Sequence, residues 1–123
     1  MDAWTLAIFL DELSPAMEVV DSFVFLDRKR LGREKLLSKI GEYSSTREAQ
    51  NWLNMVPVDD FLSEVIDDWD VALTDVESLR EVYERSWRSV VKSLGLRGED
   101  VEVKVLRDVE VGDLIFRLEQ VNF

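Results

Sequence analysis

Carboxylates are the only plentiful source of chemistry in this chain. Its 123 residues include no histidine and no cysteine. That removes the usual general base, zinc ligand and neutral-pH switch. It also removes thiol catalysis, thiolate metal sites and disulfides, and histidine-dependent triads go with them. What remains are acids at helical spacing. Glu64 with Asp67, and Glu81 with Glu84, stand three residues apart, so each pair shares a helix face. Such pairs on neighbouring helices can hold Mg²⁺ or Mn²⁺.

The spacing is similar to the E-x-x-E and E-x-x-D pairs with which helical Mg²⁺-dependent nucleotide pyrophosphatases bind metal. The chain departs from that pattern in three ways. The order of residue types is reversed, Glu81 points away from its helix's apolar stripe, and no glycine-rich basic cradle for phosphate accompanies the pairs. Asp67-Asp68-x-Asp70 lacks the glycine and terminal glutamate of an EF-hand loop. The five glycines form no phosphate-binding fingerprint. The reading therefore assigns no catalytic, metal-binding or cofactor-binding residue and expects no cofactor. A metal-dependent enzyme acting on nucleotides is kept as the rival.

The stronger signal is where the charge lies. The net charge is −11, and residues 48–79 carry nine acidic residues with no lysine or arginine. The flanking parts are nearly balanced: residues 1–47 hold eight acids and seven bases, residues 80–123 nine acids and eight bases. At helical spacing, Phe61, Leu62, Val65, Ile66, Trp69 and Leu73 fall on one side of a segment over 60–73. Asp60, Glu64, Asp67, Asp68 and Asp70 fall on the other, within an arc of roughly 160°. Like charges three and four apart cost an isolated helix a few tenths of a kcal/mol each. One account is a solvated face that keeps the protein soluble. The sharper account is a docking face, Asp59, Asp60, Glu64, Asp67, Asp68 and Asp70, for a basic protein partner that it inhibits or recruits. Immunity proteins and nucleic-acid mimics fit the same physics. The opposite pole is Arg28, Lys29, Arg30, Arg33, Lys35 and Lys39, with only Glu34 among them. It is short and has no interleaved aromatics, and the net negative charge argues against direct nucleic-acid binding.

These charges need elements to carry them. The best-marked is Thr74–Gly95. Thr74 and Glu77 have capping-box spacing, Gly95 suits a left-handed C-terminal position, and Val76, Leu79, Val82, Tyr83, Ser86, Trp87, Val90, Val91 and Leu94 recur as one stripe. Glu81–Arg85 and Glu84–Arg88 are i,i+4 pairs. Ser14-Pro15 reads as a helix start, with Ala16, Val19, Val20, Phe23 and Leu26 at helical spacing, although Ser22–Leu26 also reads as strand. Leu31–Gly41 reads as a helix. A capping box at Ser45–Glu48 opens another, through about Met55, which Pro57 ends. After Gly95 the period becomes two. Val101–Val111 and Leu114–Val121 read as a hairpin about Gly112-Asp113, with Val109 opposite Phe116 and Asp108 opposite Arg117.

A lone hairpin is marginal in water, so a third strand is expected, and Trp4–Leu10 is assigned to it. All four tryptophans sit at apparent core positions. The fold expectation is one α+β domain over 1–123. Four or five helices pack on one face of a small antiparallel sheet that includes the C-terminal β-hairpin. No run of about 18 apolar residues spans a membrane, and the acidic N-terminus does not read as a signal peptide. A cytoplasmic protein is expected. A homodimer is expected either through the open sheet edge or by docking of the acidic segment on the basic pole of a second copy.

Overall fold

In the computed structural model, residues 3–58, 73–108 and 113–121 are described. Among them are four α-helices: α1 (Ala3–Leu13), α2 (Arg33–Ile40), α3 (Thr46–Leu53) and α4 (Leu73–Ser93). Five strands, β1 (Met17–Val20), β2 (Phe23–Leu26), β3 (Met55–Pro57), β4 (Val101–Asp108) and β5 (Asp113–Gln120), make two antiparallel sheets. One is the β1–β2 hairpin; the other has the order β3-β5-β4. The mixed α+β class holds, with two small sheets in place of one.

α4 runs where its stripe requires. Val76, Tyr83, Trp87 and Val91 are buried, and Leu79, Ser86 and Val90 are half-buried beside them. Val82 and Leu94, at the stripe's margins, are exposed. The helix ends in a Schellman motif. Gly95 takes φ 85°, its amide donates to the Lys92 carbonyl, and the Leu96 amide reaches back to the Val91 carbonyl. Glycine adopts that conformation without the Cβ penalty other residues meet. On the inner face, Tyr83 packs edge-to-face on Phe9, Trp87 and Phe116, with ring centroids 6.0, 5.3 and 5.1 Å apart. Offset and edge contacts of this kind suit the aromatic quadrupole.

Three expectations are corrected. Trp4–Leu10 is not a strand but the body of α1. Phe9 and Leu13, four apart, face the core. The last carbonyls of α1, which have no partner within the helix, are met from α4: Trp87 Nε1 donates to Glu12 O at 2.8 Å and Ser86 Oγ to Leu13 O. The third strand is instead β3, which pairs Val56 with Phe116. It takes residues the sequence gave to the end of α3.

The span from Ser14 to Leu26 is a hairpin, not a helix. Asp21 and Ser22 have φ 51° and 71°, and Val20 faces Phe23, the geometry of a type I′ turn. The same apolar residues satisfy a helical stripe and two short strands, and the turn decides between them.

The β4–β5 hairpin forms, but in another register. Val105 faces Phe116, Val103 faces Leu118 and Asp108 faces Asp113, not Arg117. The slip is by an even number of residues, so every side chain keeps its face. Val101, Val103, Leu114, Phe116 and Leu118 are buried as the alternation requires. The expected Gly112-Asp113 turn falls partly on residues 109–112, outside the described residues.

Both hairpins have strand edges finished by side chains. On β2, the Asn54 side-chain oxygen accepts from the Leu26 amide at 2.9 Å, and its amide group donates to Val24 O and Leu118 O. Gln120 Oε1 accepts from the Val24 amide at 2.7 Å, and Gln50 Nε2 donates to Val24 O at 3.1 Å. On β4, Glu84 accepts from the Val103 amide at 3.0 Å, Arg80 donates to Val103 O and Arg88 to Val101 O.

Two expectations follow. Trp87→Ala removes a fully buried indole and should cost about 3–5 kcal/mol, against a few tenths for exposed Glu81→Ala; thermal melts measure both. Asn54→Leu should cost about 1–3 kcal/mol for the orphaned Leu26 amide alone. Its hydrogen exchange should rise in β2 before it rises in β4.

Candidate functional site

The site residues expected from the sequence, Asp59, Asp60, Glu64, Asp67, Asp68 and Asp70, lie outside the described residues, as do Phe61, Leu62, Val65, Ile66 and Trp69; Leu73, assigned to the same apolar side, instead begins α4. Of the other three acids of the 48–79 run, Asp75 lies near the start of α4, and Glu48 and Glu77 serve local structure. Half of the expected capping box of α3 forms: Ser45 Oγ accepts from the Glu48 amide, while the Glu48 carboxylate accepts from the Ser44 amide and hydroxyl, one residue before the N-cap. Glu77 meets Arg80, whose hydrogen bond holds the Glu77 carboxyl below its usual pKa.

The rival chemistry loses one of its carboxylates. Glu84 is half-buried and fully engaged. Arg80 reaches it at 2.8 Å, Arg88 at 3.2 Å, and the Val103 amide donates to it. Glu81 is exposed and, among the described residues, forms no ion pair with Arg85. No group of three or more acids, histidines or cysteines able to hold a metal ion occurs among the described residues.

The first half of the basic pole, Arg28, Lys29 and Arg30, is displayed by a loop with a buried acid at its root, and Arg33, Lys35 and Lys39 follow on α2. Asp27 is 4% exposed. Its two carboxylate oxygens accept from the Leu31 and Gly32 amides, each at 2.9 Å, and its carbonyl accepts from the Arg30 amide. This folds Asp27–Gly32 back on itself, with Arg30 at φ 51° and Gly32 at φ 88°, and turns Arg28, Lys29 and Arg30 outward.

The loop separates two depressions that share Leu26, Asp27 and Arg28. The first, about 220 Å³, lies against α1 and is walled by Ile8, Glu12, Val56 and Trp87. Its charges are paired across it: Arg30 with Asp11 at 2.7 Å and Arg28 with Glu12 at 3.9 Å. Glu12 also accepts from the Tyr83 hydroxyl at 2.7 Å. The second, about 180 Å³, lies against α2 and α3 and includes Trp52.

The tryptophans separate into two kinds. Trp87 is buried, but Trp52 is 59% and Trp4 71% exposed, so the expectation of core packing fails for both. In α3 the buried positions belong to Ala49 and Gln50, and Trp52 is turned away from them. An aromatic next to the basic pole is what the linear sequence hid. The signal for it was Gln50 and Asn54, polar residues that claim the buried side for β2 and β5.

Compared with known protein families, with characterised proteins and with solved structures, the chain matches none. No helix among the described residues is long and apolar enough to cross a membrane.

Burial, reinforced by the Glu12 carboxylate, pushes the Tyr83 phenol above its ordinary pKa. A raised value means the folded chain favours the neutral phenol. That stabilisation is complete below the unfolded pKa of about 10 and is lost as pH rises beyond it. The melting temperature should therefore fall more steeply above that pH in the wild type than in Tyr83→Phe, and alkaline thermal scans of the two chains compare the slopes.

Proposed function

We propose that the protein is a non-enzymatic interaction module. Asp59, Asp60, Glu64, Asp67, Asp68 and Asp70 bind a basic protein partner and so inhibit or recruit it. The observation that carries this reading is the run of nine acids without a single base over residues 48–79. Elsewhere the same chain mixes its charges and pairs them: Arg30–Asp11, Arg33–Glu18, Arg80–Glu84 and Lys104–Glu119 are all within ion-pair distance. A one-sign surface steers an oppositely charged partner and raises association rates by roughly 10–10³. The full engagement of Glu84 by Arg80, Arg88 and Val103 leaves the rival metal-dependent reading to rest on Glu64 and Asp67, because a carboxylate holding an edge strand is not free to ligate. A cytoplasmic site of action belongs to this proposal.

A single variant tests both readings: Asp60→Lys, Glu64→Lys and Asp67→Lys together. Helical spacing puts these three opposite the apolar positions of the segment, so circular dichroism should show a folded chain. A partner retained from cell lysate by the wild type should be lost by the variant, and wild-type capture should weaken steeply as salt is raised. Unchanged capture by the variant would overturn the docking face. A heat of Mg²⁺ binding present in the wild type and absent in the variant would favour the enzyme instead.

A further inference from the structure

The groove against α2 and α3 has a composition that restricts what it can hold. Its lining is largely apolar, with Leu26 and Leu36 buried and Leu31, Leu53 and Met55 half-buried, and Arg28, Lys29 and Lys39 also line it. The indole of Trp52 forms one wall and is left 59% exposed. Exposing that much aromatic surface beside an apolar lining leaves the hydrophobic term of burial unused.

The cations are available as well. Among the described residues, neither Lys29 nor Lys39 has an ion-pair partner, and Arg28 keeps only the 3.9 Å approach to Glu12. The acid nearest to hand, Asp27, has both oxygens committed to the Leu31 and Gly32 amides. Among the described residues, Lys29 and Lys39 therefore lack a counter-charge.

Two classes of anion could supply one. A nucleic-acid strand would stack a base on Trp52, but reading a base edge needs donors and acceptors in the lining. Here the lining's neutral hydrogen-bonding group is the Trp52 indole N–H, a donor with no neutral acceptor side chain beside it. At about 180 Å³ the groove is also smaller than the roughly 300–1,000 Å³ of ordinary small-molecule sites. It suits one bulky apolar side chain with carboxylates on either side.

We propose that this groove docks an acidic peptide segment of a partner protein. One apolar or aromatic side chain of that segment enters between Trp52 and the leucine and methionine lining, while flanking carboxylates meet Lys29, Lys39 and Arg28. This second surface is opposite in sign to the acidic one. Burial of the anchor supplies the affinity, and the cations fix its direction and exclude neutral or basic segments.

The probe is a fluorescein-labelled peptide, DDFLSEVIDDWD, whose sequence (that of residues 59–70) has the required chemistry. It is titrated with the full chain and read by fluorescence anisotropy. Saturable binding is expected, weakened about tenfold by Trp52→Ala and by Lys29→Glu with Lys39→Glu, a loss typical of interface anchors. All three residues are outside the core, so circular dichroism should match the wild type; if the double reversal does not fold, Lys29→Ala with Lys39→Ala takes its place. A peptide with its Phe, Leu, Val, Ile and Trp changed to Ser should not bind. Equal binding of that serine peptide would overturn the proposal, because charge alone would then suffice. So would the absence of saturable binding, or tighter binding of a twelve-nucleotide oligothymidylate than of the peptide.

Discussion

An exposed strand edge is a row of hydrogen-bonding groups without partners, and satisfying two such rows organises this protein. With two short sheets, the chain has more edges than its strands can cover. It finishes β2 with neutral amides from Gln50, Asn54 and Gln120, and β4 with the charged set Arg80, Glu84 and Arg88. The chemical difference follows from burial. Asn54 and Gln50 are almost fully enclosed, where an unpaired charge would be costly. The α4 residues sit at half-buried positions, where charged hydrogen bonds remain affordable.

The same arrangement decides which acids are available for other work. Glu84, Asp27, Glu12 and Glu48 each hold backbone or side-chain donors in place. Glu119 belongs with them. Its burial tends to raise its pKa, but hydrogen bonds from Arg117 and Lys104 outweigh that and leave it below the usual carboxylate range. In the described parts of the molecule, carboxylate chemistry is largely spent on architecture. Over Val101–Val103 the β4 edge is likewise occupied by α4, which removes those backbone groups from strand pairing with a second copy.

Features with a local physical cause were legible in the sequence. The stripe of α4, its glycine stop, the Ser45 cap of α3 and the inward valines of β4 are all set by residues within a turn or two of one another. What escaped depends on partners far along the chain. α1 is helical because its terminal carbonyls find Trp87 and Ser86 more than seventy residues on. The β1–β2 turn uses Asp-Ser where glycine or asparagine is the usual marker of positive φ. The hairpin register could be read for its face but not its stagger, because a shift by an even number leaves the alternation intact. Trp52 looked like core because hydrophobicity alone cannot reveal that two buried amides have claimed the other side of α3. The acidic face remains a matter of sequence, since its residues lie outside those described.

β5 has a consequence for the order of assembly. It supplies the ladder partner of β3, the partner of β4, and Gln120 for the edge of β2. The β1–β2 unit and β3 are made before it and then wait for its partner residues, which lie from about sixty to 96 residues further on. Domains generally fold as units, and of the described elements β5 is the last to be made. During synthesis the apolar faces of the first half are therefore uncovered, and nascent chains have a window in which to meet chaperones or one another.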